Sequence, residues 1–204
     1  MAEPEISLEL LAALRSVADL LDFTWDNNPP LWMLGGSCGL LLHGVTLGRM
    51  PQDIDLYADL GDAERLHHAL CHYAVDNPVE DLSNGCYSLL SHYLIGGISV
   101  ELVCGFRIYR GLSRYSVDTV RLLRHTSLQV FPAIGMLRLM PLAHEFVFNI
   151  LRGRVDRYKV ITSVMKKDMP RHLPLLQELI ELHQWGPTHM SILKGQLDIS
   201  RANA

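Results

Sequence analysis

Asp53 and Asp55 stand one residue apart in the run Asp53-Ile54-Asp55-Leu56-Tyr57. Such a run reads as a strand, and side chains two apart on a strand share a face. Both carboxylates therefore point the same way. Like charges held that close repel unless one is protonated or a cation sits between them. A divalent cation resolves the repulsion, and Mg²⁺ characteristically takes one or two carboxylates and completes its shell with phosphate oxygens and water. Upstream, Gly35-Gly36-Ser37 separates an apolar strand-like run, Leu31–Leu34, from an apolar helical run reaching about Thr46. A turn of this kind presents backbone N–H groups and a hydroxyl to an anion, although Ser37 can equally serve as the helix cap. Arg49, in the Pro51-marked connection, can reach a phosphate or stay solvated. Residues 31–57 thus combine a candidate phosphate cradle with a candidate metal site.

A third acid, Glu101, lies alone among apolar residues in Ile98-Ser99-Val100-Glu101-Leu102-Val103. It either faces solvent from an edge strand or joins a buried polar site. This run and Tyr87–Leu94 flank Gly96-Gly97, which is a hairpin signature.

The elements that must position these residues follow from periodicity. Ile6, Leu10, Leu14, Val17 and Leu21 predict a helix from Ser7 to about Thr24, with Ser7 as its cap. A third helix is expected from Gly61 to about Val75, then a loop containing Asn77, Pro78, Asn84 and Gly85. Phe106–Tyr109 reads as a last short strand, and Leu128–Phe131 with Met136–Leu139 as a small β-pair or extended loops. Pro141 suits the first position of a helix reaching Leu151. Val155–Met165 is a further helix. Pro170 and Pro174 bracket a connector, Leu175–Trp185 is helical, and His189–Leu197 is a short final helix.

The chain of 204 residues, 49% hydrophobic and 20% charged, is ordinary for a globular protein with a real core. No apolar run reaches the roughly 18 residues that span a bilayer. The acidic start MAEPEISLEL lacks the basic region of a secretory signal, so a cytoplasmic location is expected. Cys38, Cys71, Cys86 and Cys104 show no CxxC spacing and indicate neither a zinc site nor a disulfide framework. Charge is uneven. Residues 1–105 carry 3 basic against 15 acidic side chains, a net of −12; residues 106–204 carry 15 against 7, a net of +8. The halves can close on a polyanionic substrate, or opposite charge can simply help them pack.

Taken together, Gly35-Gly36-Ser37, the helix after it, Asp53-Ile54-Asp55 and Glu101 on a later strand resemble the nucleotidyltransferase fold of the DNA polymerase beta-like superfamily. The likeness is to small bacterial members, namely abortive-infection and toxin–antitoxin-type transferases and antibiotic nucleotidyltransferases. It is good over about residues 31–105. It is partial over 136–165, where Leu142–Val164 is similar to a helical segment of the family and Arg152, Arg154, Asp156 and Lys159 match its basic–acidic cluster. One departure stands out: a lysine often seen near residues 144–149 is replaced by His144, Glu145 and Asn149.

The resemblance implies an α+β chain: a mixed sheet flanked by helices over residues 1–110 as catalytic core, then a mainly helical region over 111–204. It implies metal-dependent transfer of a nucleoside monophosphate from an NTP, with ATP binding expected, to a hydroxyl of RNA, protein or a small molecule, and release of pyrophosphate. Asp53, Asp55 and Glu101 would be the catalytic residues and the ligands of Mg²⁺ or Mn²⁺. Gly35, Gly36, Ser37, Arg49 and Lys159 would contact the nucleotide. Arg152, Arg154 and Lys159 can bind nucleotide or acceptor, or remain a solvated face paired with Asp156. A catalytically inactive nucleotide-binding or toxin–antitoxin-type interaction protein of the same fold is the alternative. The helical half offers surfaces for a homodimer, and no membrane partner is expected.

Overall fold

The computed structural model describes residues 6–23 and 26–197. Helix α1, Leu8–Leu20, starts where Ser7 accepts a hydrogen bond from Leu10 N–H at 3.2 Å, and it buries Leu10, Ala13, Leu14, Val17 and Ala18. Strand β1 (Trp32–Gly35) runs straight into α2 (Gly36–Leu42), which stops four residues short of the expected Thr46 as the chain turns through Gly44 at φ +75°. Strand β2 is Asp53–Ala58. The expected third helix is shorter: α3 spans Ala63–Leu70, with single 3-10 turns at Leu60–Asp62 and Cys71–Tyr73. A short strand unforeseen in the loop, β3 (Val79–Asp81), precedes β4 (Cys86–Ile95) and β5 (Ile98–Arg110).

Strand β5 absorbs the separate strand expected at Phe106–Tyr109, and β6 (Ser113–Ser116) pairs with its second half. After a short α4 (Thr119–Leu122), the anticipated β-pair forms as β7 (Gln129–Phe131) and β8 (Gly135–Leu137). Helices α5 (Leu142–Leu151), α6 (Val155–Met165), α7 (Met169–Leu182) and α8 (Pro187–Leu197) follow. The connector expected between Pro170 and Pro174 is instead part of α7. Pro170 sits in the first turn, where a missing N–H costs nothing. Pro174 lies inside the helix, where proline costs about 3 kcal/mol or more; burial of Leu175, Leu176 and Leu179 offsets it.

The sheet order is β1-β2-β5-β4-β3, with β6 beside β5. Strands β2 and β5 are parallel and the other pairs antiparallel, so the sheet is mixed. Two apolar clusters sandwich it. One joins α1, α3 and β8 to Trp32, Leu34, Ile54, Leu56, Tyr93, Val100 and Leu102. The other joins α5, α6, α7 and Leu193 of α8 to Met33, Tyr57, Val103 and Ile108. Every residue of α5 is buried, which explains its apolar character all round. A backbone bridge between Leu34 and Leu139 ties β1 to the segment leading into α5.

Among the described residues no helix is long and apolar enough to cross a membrane, and all four cysteines are free thiols.

Candidate active site

Strand alternation places Asp53 and Asp55 on the face opposite Ile54, Leu56 and Ala58. The parallel register sets Asp55 directly beside Glu101, and the antiparallel register sets it beside Gly35. Strand β5 has a neighbour on each side, so Glu101 does not lie on an edge strand. The turn after β1 is fitted closely around this point. Gly36 has φ +58°, and a Cβ on it would fall within the Asp55 carboxylate. A Cβ on Gly35 would come within 2.8 Å of the Tyr57 ring. Both glycines are therefore required by close approach, and Gly36 also by its backbone conformation.

These groups line one wall of a cavity of about 640 Å³, with Ser37, Asp53, Asp55 and Glu101 on the sheet side. Helix α5, the turn after it and α6 add Glu145, Phe148, Asn149, Arg152, Arg154 and Arg157 to the lining. Asp81, Ser83, Asn84 and Arg110 close the far end. Arg152 lies over the Phe148 ring, 5.3 Å from its centroid. Gly35 stands behind the wall, and Arg49 and Lys159 are exposed residues outside it.

Burial pushes the Asp55 carboxyl up to about 7; the charges of Asp53 and Glu101 add to the rise, and Arg152 and Arg154 oppose it. None of the three acids has an ion-pair partner among the described residues. Crowded, unpaired hard oxygen donors suit a divalent cation. Among the described residues no three His, Cys, Asp or Glu side chains form a ready-made metal cage. The donor set fits an ion whose remaining ligands are phosphate oxygens and water, as is usual for Mg²⁺ at phosphate sites.

Glu145 adds a fourth carboxylate. It is 3% exposed, and its Oε1 accepts the Gly36 N–H at 3.0 Å. Its Oε2 accepts from Asn149 Nδ2 at 3.3 Å. Burial raises its carboxyl to about 7, with the Gly36 hydrogen bond pulling the other way. Cys38 supports β2 from beneath, donating its thiol to Asp53 O at 3.1 Å.

Arg157 and Asp81 were not among the residues expected from sequence, and Glu145 entered only as a departure from a family pattern. Helical phase would have found Arg157. It precedes buried Tyr158 and Ile161 in the inward stripe of α6, whereas Asp156 and Lys159 fall on the outer face.

No protein-family description matches the chain, and no curated protein sequence matches it significantly. Solved structures do. TM1012 from Thermotoga maritima, a nucleotidyltransferase by inference, superposes with a TM-score of 0.60 at 20% identity, covering 80% of this chain and 96% of that one. The solution structure of the antibiotic-resistance factor ANT(2'')-Ia gives 0.51 at 7% identity, covering 84% and 91%. The chain has the nucleotidyltransferase fold. Within that fold it carries a mixed sheet with helices on both faces and a helical C-terminal part.

Proposed function

We propose that this chain is a nucleotidyltransferase that moves a nucleoside monophosphate from an NTP to an acceptor hydroxyl. One observation carries the reading: Asp53, Asp55 and Glu101 line the same cavity as Arg152, Arg154 and Arg157. Carboxylates and guanidinium groups lining one cavity match a substrate that brings both metal and phosphate. Residues 1–110 would form the catalytic core and 111–204 the region that supplies the arginines.

Mg²⁺ or Mn²⁺ would be held by Asp53 and Asp55, with Glu101 completing the set; when bound it supplies positive charge to the phosphate oxygens and favours the alkoxide form of the attacking hydroxyl. The acceptor oxygen forms a bond to the α-phosphorus while the bond from that phosphorus to the β-phosphate oxygen breaks. The hydroxyl proton leaves toward the carboxylate wall, where Glu101 is placed to draw it. Arg152, Arg154 and Arg157 face the triphosphate and balance the charge that builds on the departing pyrophosphate. Ser37 donates its hydroxyl to a phosphate oxygen, and Gly35 and Gly36 keep the turn close enough for it to do so. Arg49 and Lys159, on the surface, would steer the anion toward the cavity.

Incubation with labelled NTPs and Mg²⁺, with and without cell extract, tests the proposal. Label transferred to an acceptor, and lost in Asp55→Ala, supports it; no transfer from any NTP overturns it. The alternative is a nucleotide-binding protein of this fold without transfer. Tight NTP binding with no labelled product would select that reading.

A further inference from the structure

Gly36 N–H is a half-buried donor at the first turn of α2, where helix N–H groups have no partner within the helix. Its acceptor is not local. It is the Oε1 of Glu145, 109 residues further along the chain, on α5. Glu145 is itself held. Asn149, one helical turn on, gives Nδ2 to the Glu145 carbonyl at 2.8 Å and to its Oε2 at 3.3 Å. The surrounding helix leaves no freedom, because all ten of its residues are buried. At the other end of the bond the turn has no slack either. Gly36 is packed so tightly on Asp55 that no Cβ fits, and Gly35 is in register with Asp55 and against Tyr57. A displacement of the turn would push on Asp55 or carry Ser37 away from the cavity.

We infer that Glu145 is a positioning residue: it pins the Gly35-Gly36-Ser37 turn from α5, so that Ser37 and Asp55 face one cavity in a fixed relation. The inference rests on the transfer reading above. Its energetic logic is one of placement rather than charge. A carboxylate close to Asp55 adds repulsion, so its presence is explained by the acceptor atom it brings to Gly36. Displacements on the order of 1 Å at a reacting group cost about 100-fold in rate, which is the sensitivity such a brace protects.

The test compares Glu145→Met, which keeps the packing volume and lacks the acceptor, with Glu145→Gln, which keeps an oxygen where Oε1 lies. Hydrogen exchange at the Gly36 amide is read beside kcat and KM for the NTP. Glu145→Met is expected to speed Gly36 exchange and lower kcat about 10- to 100-fold, with KM moved by less than about 3-fold. Glu145→Gln is expected to restore most of both losses. Wild-type kcat in Glu145→Met overturns the inference. So does a Glu145→Gln enzyme as slow as Glu145→Met while its Gly36 amide stays protected, since the charge would then matter and the brace would not. If Glu145→Met does not fold, Asn149→Leu loosens Glu145 from the other side; faster Gly36 exchange with lower kcat supports the brace, and no change in either overturns it. Wild-type protein that transfers nothing fails the functional reading alone. Gly36 exchange in Glu145→Met still decides the brace: unchanged protection overturns it, and lost protection supports it.

Discussion

Along β2, Ile54, Leu56 and Ala58 turn toward α1 and α3, while Asp53, Asp55 and Tyr57 turn toward the cavity. Along β5, Val100 and Leu102 go one way, and Glu101 and Val103 the other. The same two strands thus serve two faces of opposite character. The first face is dry and apolar, and its residues are exposed by 1% or less at Ile54, Leu56, Val100 and Leu102. The second collects carboxylates that repel one another. A strand can carry such a burden on one side because alternation delivers the compensating burial on the other. Stability and chemistry are divided residue by residue rather than domain by domain.

Substitutions can break this division or sharpen it. The largest effect is expected at Asp53. Asp53→Ala should lower transfer at least about 100-fold, on the scale of losing a major electrostatic stabiliser, with no fall in the urea midpoint. Activity within a few-fold of wild type would remove Asp53 from the chemistry. On the opposite face, Leu56→Ala should cost about 2–5 kcal/mol of stability, as buried leucine truncations do. Transfer per folded molecule should change little, and equilibrium urea unfolding beside active-site titration separates the two quantities.

The third prediction sets stability against charge at Asp55. Its carboxyl is raised from 3.8 to about 7 in the folded chain. Between those values the folded state holds a proton that the unfolded state has released. That contribution is complete below pH 3.8 and is lost as pH rises through 7. With EDTA present, Asp55→Asn should therefore gain on wild type as pH increases, by about 2–3 kcal/mol between pH 5 and pH 8. A gap independent of pH would show that Asp55 is not crowded. The smallest effect belongs to neither face. Glu178 accepts hydrogen bonds from Arg121 at 2.6 Å and pairs with His125 at 2.7 Å near the surface. Glu178→Gln should change stability by no more than about 1 kcal/mol, with transfer untouched in the same assay.

The parts of this arrangement that could be read from sequence are the ones made locally. Period-two alternation, the glycine pair and the proline-marked turn foretell β1, α2, β2 and the β4–β5 hairpin, and they put Asp53 and Asp55 on one face. Local pattern showed Glu101 only as an acid in an apolar strand; it was the family resemblance that set it with Asp53 and Asp55, because strand order depends on the crossover between β2 and β5. The rest hides for related reasons. Glu145 meets Gly36 across 109 residues, a contact with no sequence signature. Short strands such as β3 and β6 are stabilised by partners rather than by their own composition. Two prolines read as breakers, yet one occupies the tolerant first turn and the other is overridden by leucine burial. Arg157 was within reach of helical phase; the likeness to the family's basic–acidic cluster drew attention to Lys159 instead.

Gly105 has an effect on β5 that reaches both ends of the cavity. Its φ is +62°, and the pairing with β4 slips there, from Leu89 opposite Cys104 to Tyr87 opposite Arg107. The slip reverses the parity of the strand. Before it, odd-numbered residues, Glu101 and Val103, look into the cavity; after it, even-numbered ones do, Phe106 and Arg110. Arg107 and Tyr109 are thereby turned outward, where Arg107 lies over the Tyr87 ring and Tyr109 beneath Arg114. A single extra residue thus acts as a phase shifter in the strand. Pulling Gly105 into regular alternation, with no residue removed, would swap the tenants of the two sides over the last third of β5 and bring Tyr109 to the side where Arg110 stands; deleting Gly105 would leave Phe106 and Arg110 on the cavity side.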